Sequence, residues 1–353
     1  MKLPIIAGIQ QVGIGVADAE EAWAWYRKHF DMSIPIFKDK ATASLMTRYT
    51  NGKAEDRFAI LAINGQGGGG FEIWQYTSKE PQPPRVRPSL GDTGVYAIKI
   101  KSRDIGKSFS HFESHGIKTS GGIQTRPDGK KHFFVNDPYH NTFQVTEGNS
   151  WLKKNNAHSG GVAGCMIGVS NIDQSLPLYQ SVLGHGEIAY DHTGVFDDFS
   201  GLPGEKKRYR RVALKSNPGR SGAFSRLLGD TELELVEALD EKPKKIFEDR
   251  CWGDLGFIHV CFDVHGMEQL GASCAKNNFP FTVDSSHSFD MGKAAGHFTY
   301  CEDPDGTLIE FVETHKIPIM EKLGWYLNVR KRDPSRPLPD WFFTLLGLTK
   351  VKN

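Results

Sequence analysis

Three side chains combine a reactive type with a setting that ought to exclude them. Glu310 lies in LIEFVE, His259 in FIHVCFDV and Glu234 in TELELVE, stretches with the period-2 alternation of β-strands. Successive strand residues face opposite sides, so His259 shares a face with Phe257 and Cys261, and Glu310 with Leu308 and Val312. A carboxylate on such a face must be paired, hydrogen-bonded or metal-bound, because desolvating it alone costs on the order of several kcal/mol. Imidazole and carboxylate together are ligands for a divalent cation and carriers of protons. The bland readings stand beside this one. A lone strand histidine is usually structural, and Glu232 and Glu234, pointing the same way, suit a solvated face.

Other reactive groups carry less. His287 and His297 can reach a cavity only from loops, and His132 and His140 offer weaker cases. The run NGQGGGGFE (64–72) lacks the G-K-S/T ending of a phosphate loop and reads as a flexible hairpin. KKRYRR (206–211) reads as a solvated loop, or else as a hold for a phosphate or CoA moiety. Arg330, Lys331 and Arg332 share that ambiguity.

The elements that must position these groups follow from a repeat. VGIGVADAEEAWAWYRKHFDM, from Val12, matches CMIGVSNIDQSLPLYQSVLGH, from Cys165, aligning Tyr26 with Tyr179. HFFVNDPYHNTFQVTE likewise matches HFTYCEDPDGTLIEFVE, aligning Asp137-Pro138 with Asp303-Pro304. Each half reads as strand, helix and several strands, done twice, with helices at 18–29, 103–115, 172–182 and 265–276, the first two opening at Asp18 and Ser102. Linkers fall at 79–89 and 240–250 within the halves and at 148–160 between them.

Composition bounds the function. At 353 residues, with 39% hydrophobic and 24% charged, the chain can bury two cores. A formal net charge of +1 gives no field to draw nucleic acid or an anionic membrane, so the partner expected is a small molecule. Five cysteines without a C-x-x-C pair argue against a disulfide framework and for a reducing, cytoplasmic setting. No signal segment or apolar run of membrane-spanning length is evident.

Repeated βαβββ modules, a first strand ending in G-V-x-D or G-V-x-N before a tyrosine-bearing helix, and a closing D-P-D-G-x-x-x-E together resemble the vicinal oxygen chelate superfamily. That superfamily includes glyoxalase I, methylmalonyl-CoA epimerase and extradiol dioxygenases. The likeness covers residues 5 to 315, and its most specific pieces are DPDGTLIEF (303–311) and GFIHVCFDV (256–264). It implies an α+β fold of four βαβββ modules paired into two half-open β-barrel domains, 1–150 and 151–316. A C-terminal tail, 317–353, follows with a short helix, either docked or serving as a lid.

In that family a divalent metal sits on the concave face of a module pair, with one ligand from the first and last strand of each module. Carried over to the second half, those places are Gly164, Glu234, His259 and Glu310. In the first half they are Gln11, Glu72, Val95 and Gln144, where only Glu72 is a strong ligand, so that site is expected to be degenerate. The resemblance thus implies one divalent metal (zinc, nickel, iron(II) or manganese) held by Glu234, His259 and Glu310. The activity implied is that of a lyase or isomerase acting on a small vicinal-oxygen carbonyl substrate through a metal-stabilised enediolate, with Glu310 or Glu234 moving the proton. Two alternatives remain. One is a metal-free small-molecule binder of the bleomycin-resistance type, with Trp74 lining a cavity; the other is a non-haem iron(II) dioxygenase with His297 as second imidazole. A self-sufficient chain and a homodimer are equally compatible with the sequence.

Overall fold

The computed structural model describes residues 3–153, 157–286, 296–320 and 325–351. The first half supplies β1 (Ile5–Gly15), α1 (Ala19–Phe30), β2 (Ile34–Thr42), β3 (Asp56–Ile63), β4 (Gly70–Tyr76), β5 (Gly94–Ser102), α2 (Ile105–Ser114), β6 (Thr119–Thr125), β7 (Lys131–Asn136) and β8 (Thr142–Glu147). The second half repeats the pattern as β9 (Ser159–Gly168), α3 (Ile172–Leu176), β10 (Glu187–Gly194), β11 (Tyr209–Lys215), a short α4 (Ser225–Leu228), β12 (Glu232–Ala238), β13 (Gly256–His265), α5 (Met267–Lys276), β14 (Val283–Asp284), β15 (Gly296–Glu302) and β16 (Leu308–Thr314). Asp18 caps α1 by accepting from the amides of Glu20 and Glu21. Asp104, rather than Ser102, caps α2 through the Lys107 amide. Pro177 lacks the donor an α-helix needs, and α3 runs on from it to Val182 as a wider π turn.

Two open eight-stranded sheets result, in the orders β14-β15-β16-β13-β1-β4-β3-β2 and β10-β11-β12-β9-β5-β8-β7-β6. The four modules are those expected, but their pairing corrects the division at residue 150. The first sheet joins modules one and four, and the second joins modules two and three, so each half of the chain contributes one module to each sheet. The reason is the seam. β1 runs antiparallel to β13 from Ile5 opposite His265 to Gly15 opposite Gly256, while β5 pairs in the same way with β9.

What ties each half together is its helical layer. The Tyr26 hydroxyl donates to Asp137 at 2.6 Å, and its repeat-mate Tyr179 donates to Asp303 at 2.8 Å, all four side chains being buried. The residues that mark the repeat are therefore the ones that bond the first helix of each half to the closing turn of that half's second module. Around them a single apolar core, with Phe30 and Phe143 rings 4.8 Å apart, runs between both sheets.

Two loop readings change. The glycine run does turn β3 into antiparallel β4 as a hairpin, but a packed one: residues 66–70 are buried where the two sheets touch. The Gly68 amide bonds the Leu227 carbonyl at 2.7 Å and the Gly69 amide bonds the Val162 carbonyl at 2.8 Å. A Cβ on Gly68, which also has φ +109°, would lie 2.7 Å from the Gly161 backbone. KKRYRR is likewise not all solvated loop, since Arg210 and Arg211 belong to β11 and Arg211 is fully buried. After a further hairpin, α6 (Asp340–Leu346) follows, docked through Leu338, Phe342 and Phe343 against Ala7, Ile34, Ile63, Leu227 and Leu228.

Replacing either tyrosine hydroxyl should expose the importance of these links. Tyr26→Phe and Tyr179→Phe each leave a buried carboxyl short of a partner and should cost about 1–3 kcal/mol in urea unfolding. A second expectation concerns Asp263, whose carboxyl burial pushes up to about 8 despite the Gln10 amide at 3.2 Å. The unfolded chain releases this proton near pH ~4, whereas the folded chain keeps it to about 8, so this group's contribution to stability falls as pH rises across that window. Asp263→Asn should flatten that slope in unfolding curves taken from pH 5 to 8.

Candidate metal centre

The seam between β1 and β13 brings two half-sites together. Gln11 on β1 and Glu72 on β4 come from module one; His259 on β13 and Glu310 on β16 come from module four. His259 is fully buried, Glu310 and Gln11 nearly so, and the Glu72 side chain is 13% exposed, the most open of the four. Space for the imidazole is made by Gly13, directly opposite in the register: a Cβ there would lie 2.4 Å from His259 Cε1. The ligating atoms of Glu72, His259 and Glu310 all lie within 4.8 Å of one another. His259 Nε2 is 3.0 Å from Glu310 Oε2 and 3.5 Å from Glu72 Oε2, and the Gln11 amide nitrogen is 3.3 Å from Glu72 Oε2.

The polar atoms at this point pair as charges but leave their directed hydrogen-bonding capacity unused. Gln11 Oε1, His259 Nε2 and Glu310 Oε2 are buried and form no directed hydrogen bond among the described residues. Such atoms carry a desolvation penalty unless something else meets them. A divalent ion with ligand bonds of about 2.0–2.2 Å places neighbouring donor atoms about 3 Å apart, as here. An amide oxygen is an acceptable fourth donor once the Gln11 amide is turned over. One imidazole, two carboxylates and an amide oxygen therefore fit zinc, nickel, iron(II) or manganese. Without the ion, the site holds its charge in another way. Burial disfavours the His259 cation, but Glu310 and Glu72 outweigh it and raise its pKa to about 9. Burial likewise opposes ionisation of Glu310, and His259 reverses this, keeping the carboxyl below its usual range. The Tyr300 hydroxyl, 3.5 Å from His259 Nδ1, is held by burial and by Glu310 and Glu72 as a neutral phenol.

Glu234 belongs elsewhere, and its assignment to the His259 site is corrected by the sheet order. On β12 of the second sheet, it accepts from Lys99 Nζ at 2.6 Å, Tyr190 at 2.7 Å and Arg211 Nε at 2.9 Å. Arg211 also grips Asp198 with two bonds of 2.7 and 3.1 Å, and Lys99 and Arg126 hold Glu232. Burial works against the Glu234 anion, but Lys99 and Arg211 prevail and keep its pKa well below the ordinary value.

The places equivalent to the metal ligands are otherwise poor in this sheet. A Cβ at Gly164 would lie 2.0 Å from the Glu232 carbonyl oxygen, so no side chain fits there. The strand register puts Ala97, not Val95, where His259 stands in the first sheet, as Ala97 faces Met166 while His259 faces Gly13. Gln144 is bonded to His132 Nδ1 at 2.9 Å.

The remaining expectations separate cleanly. His297 bonds Asp284 at 2.6 Å and faces Glu313 across the sheet, apart from the His259 group. His287 lies outside the described residues. Trp74 follows Glu72 by two residues on the same strand face, its ring 4.6 Å from Trp252. The signal that would have found the centre is complementarity. Gln11 with Glu72, and His259 with Glu310, are each half of a four-ligand set, and neither is completed by its sequence neighbour.

Comparison with known proteins agrees with this architecture. The family model for the Glyoxalase/Bleomycin resistance protein/Dioxygenase superfamily matches residues 8–145 and 161–311. No curated protein matches the chain. Among solved structures, a candidate dioxygenase from Bacillus subtilis subsp. subtilis str. 168 aligns over 88% of this chain and 86% of its own, with a TM-score of 0.56 and 11% identity. Glyoxalase I from Zea mays aligns over 88% and 92%, with a TM-score of 0.52 and 13% identity. At these identities the likeness is one of fold. No helix among the described residues is long and apolar enough to cross a membrane.

The geometry separates two sets of glutamates by experiment. Elemental analysis should find that His259→Ala and Glu72→Gln each hold about one metal ion fewer than the parent chain, and that Glu234→Gln is loaded like the parent. Metal loss in Glu234→Gln with retention in Glu72→Gln would reverse the assignment.

Proposed function

The chain belongs to the Glyoxalase/Bleomycin resistance protein/Dioxygenase superfamily, and on that premise we propose that it is a divalent-metal-dependent lyase or isomerase of glyoxalase or epimerase type. Its substrate would be a small carbonyl compound with two vicinal oxygens. The observation that carries the reading is the convergence of Glu72, His259 and Glu310 on one buried point, with Gln11 Oε1, His259 Nε2 and Glu310 Oε2 lacking hydrogen bonds. The ion bound there would supply Lewis-acid polarisation of the two substrate oxygens.

This chain's own residues do the rest. Glu72 and Glu310 would balance the charge of a dication held there while it polarises the substrate oxygens. Glu72, the most exposed of the ligands, marks the side from which substrate enters. Glu72 and Glu310 flank His259, and a proton on the carbon beside the carbonyl passes to one of them. The phenol of Tyr300 donates beside Glu310, while Trp74, Tyr76 and Trp252 pack an apolar wall that keeps water away. Glu234, neutralised by Lys99 and Arg211, takes no part.

Exchange of the α-proton for solvent deuterium, followed by NMR across a panel of α-hydroxycarbonyl and 2-oxo compounds, tests the reading. Exchange should stop on chelation and return with added metal. Measured per bound metal, the glutamine variant of the proton-moving glutamate should lose about 10²–10⁴-fold in rate, while that of the other should lower occupancy alone. Metal-free protein that binds aromatic ligands tightly would replace this reading with a binding protein. Oxygen uptake with a catechol would replace it with a dioxygenase.

A further inference from the structure

A second group of potential ligands lies away from this centre, where α1 and α2 end side by side. His29 is buried one residue before the end of α1; His111 is half-buried in the last turn of α2; His115 caps α2 and is exposed. One ligand atom from each lies within 4.8 Å of the other two. Residues 111 and 115 are four apart, the spacing that puts two imidazoles on one helical face. His29 Nδ1 and His111 Nε2 are 3.3 Å apart, which is about the edge of a tetrahedron with metal–nitrogen bonds of 2.0–2.1 Å.

We propose that His29, His111 and His115 form a second metal site, for a zinc-like transition ion, that staples the C-terminal end of α1 to that of α2. In the absence of an ion, His29 Nδ1 and His111 Nε2 share a hydrogen bond that a metal would replace. His115 Nδ1 donates to the His111 carbonyl at 2.8 Å, so its Nε2 carries the lone pair. His158 supports the arrangement from behind: its ring stacks on His111 at 3.8 Å, and its Nε2 donates to the His29 carbonyl at 2.8 Å. Backing of this kind orients metal-bound imidazoles. Burial, followed by the neighbouring imidazoles and Lys28, lowers His29 to about 3, and burial with His158 and His115 lowers His111 to about 4. The His29 and His111 rings are therefore neutral near pH 7, the form that binds metal. Two helix C-termini also present their partial negative charge to this point, which favours a cation.

The staple has a place in the architecture. α1 belongs to module one of the first sheet and α2 to module two of the second, so an ion here would clamp the two sheets independently of the Glu72–His259–Glu310 centre. A tetrahedral ion would keep its fourth position for water.

The test uses the full chain carrying His259→Ala, which removes the first centre, titrated with zinc by calorimetry and with cobalt(II) by absorption. About one equivalent should still bind, with the intense visible bands of a tetrahedral cobalt site. Adding His115→Ala should weaken binding at least about tenfold, the size of loss seen even for outer-shell partners. Adding His111→Phe, which keeps a ring in the stack, should abolish it while leaving circular dichroism unchanged. Were the His111→Phe chain to misfold, exposed His115 decides the question alone. Failure of the His259→Ala chain to bind either ion, or binding indifferent to His115→Ala, overturns the proposal and leaves the histidines as packing. Neither result bears on whether the first centre holds metal.

Discussion

A buried carboxylate has to be met by positive charge, and both sheets are organised around that requirement. In the first sheet Glu72 and Glu310 are met by His259 and by whatever cation joins it. In the second, Glu232 and Glu234 are met by Lys99, Arg126 and Arg211, which are parts of the chain itself. Removing one partner from such an arrangement leaves an unpaired buried charge, costing about 3–5 kcal/mol. The two concave faces therefore meet one electrostatic requirement differently, the first with a single imidazole and the second with fixed ammonium and guanidinium groups.

That contrast explains why one repeat holds two different destinies. Lys99 stands where the first sheet has Cys261, since each pairs with the closing-strand residue Gln144 or Glu310. Ala97 stands where the first sheet has His259, and Gly164 where it has Gln11. Each change removes a ligand, and Lys99 adds a fixed ammonium in compensation. The second sheet thus keeps the shape of a half-barrel while its interior serves stability.

Much of this was legible in the sequence. The alternation around His259 and Glu310 gave both strands and the buried face they share, and the Tyr26/Tyr179 and Asp137/Asp303 repeats marked real bonds. What sequence could not provide was the partner of each module. Period-2 patterns fix which side of a strand is apolar but not which strand lies beside it, and Gly13 opposite His259 is a contact between residues far apart in the chain. Glu234 alternates with Leu233 and Leu235 as a ligand would. Its neutralising lysine and arginines come from β5, the loop before β7 and β11, where nothing in the local pattern announces them.

The exchange of modules sets an order of events on the ribosome. β1 emerges well before its seam partner β13, which is synthesised some 250 residues later, a wait on the order of tens of seconds at ordinary translation rates. The modules of the second sheet, contiguous in the chain, can close while the first is still waiting. Contacts of such high sequence separation are slow to form because loop closure must precede any gain from them. The His259 cluster can then assemble only after module four has emerged, so until β13 and β16 are made Gln11 and Glu72 stand without their partners.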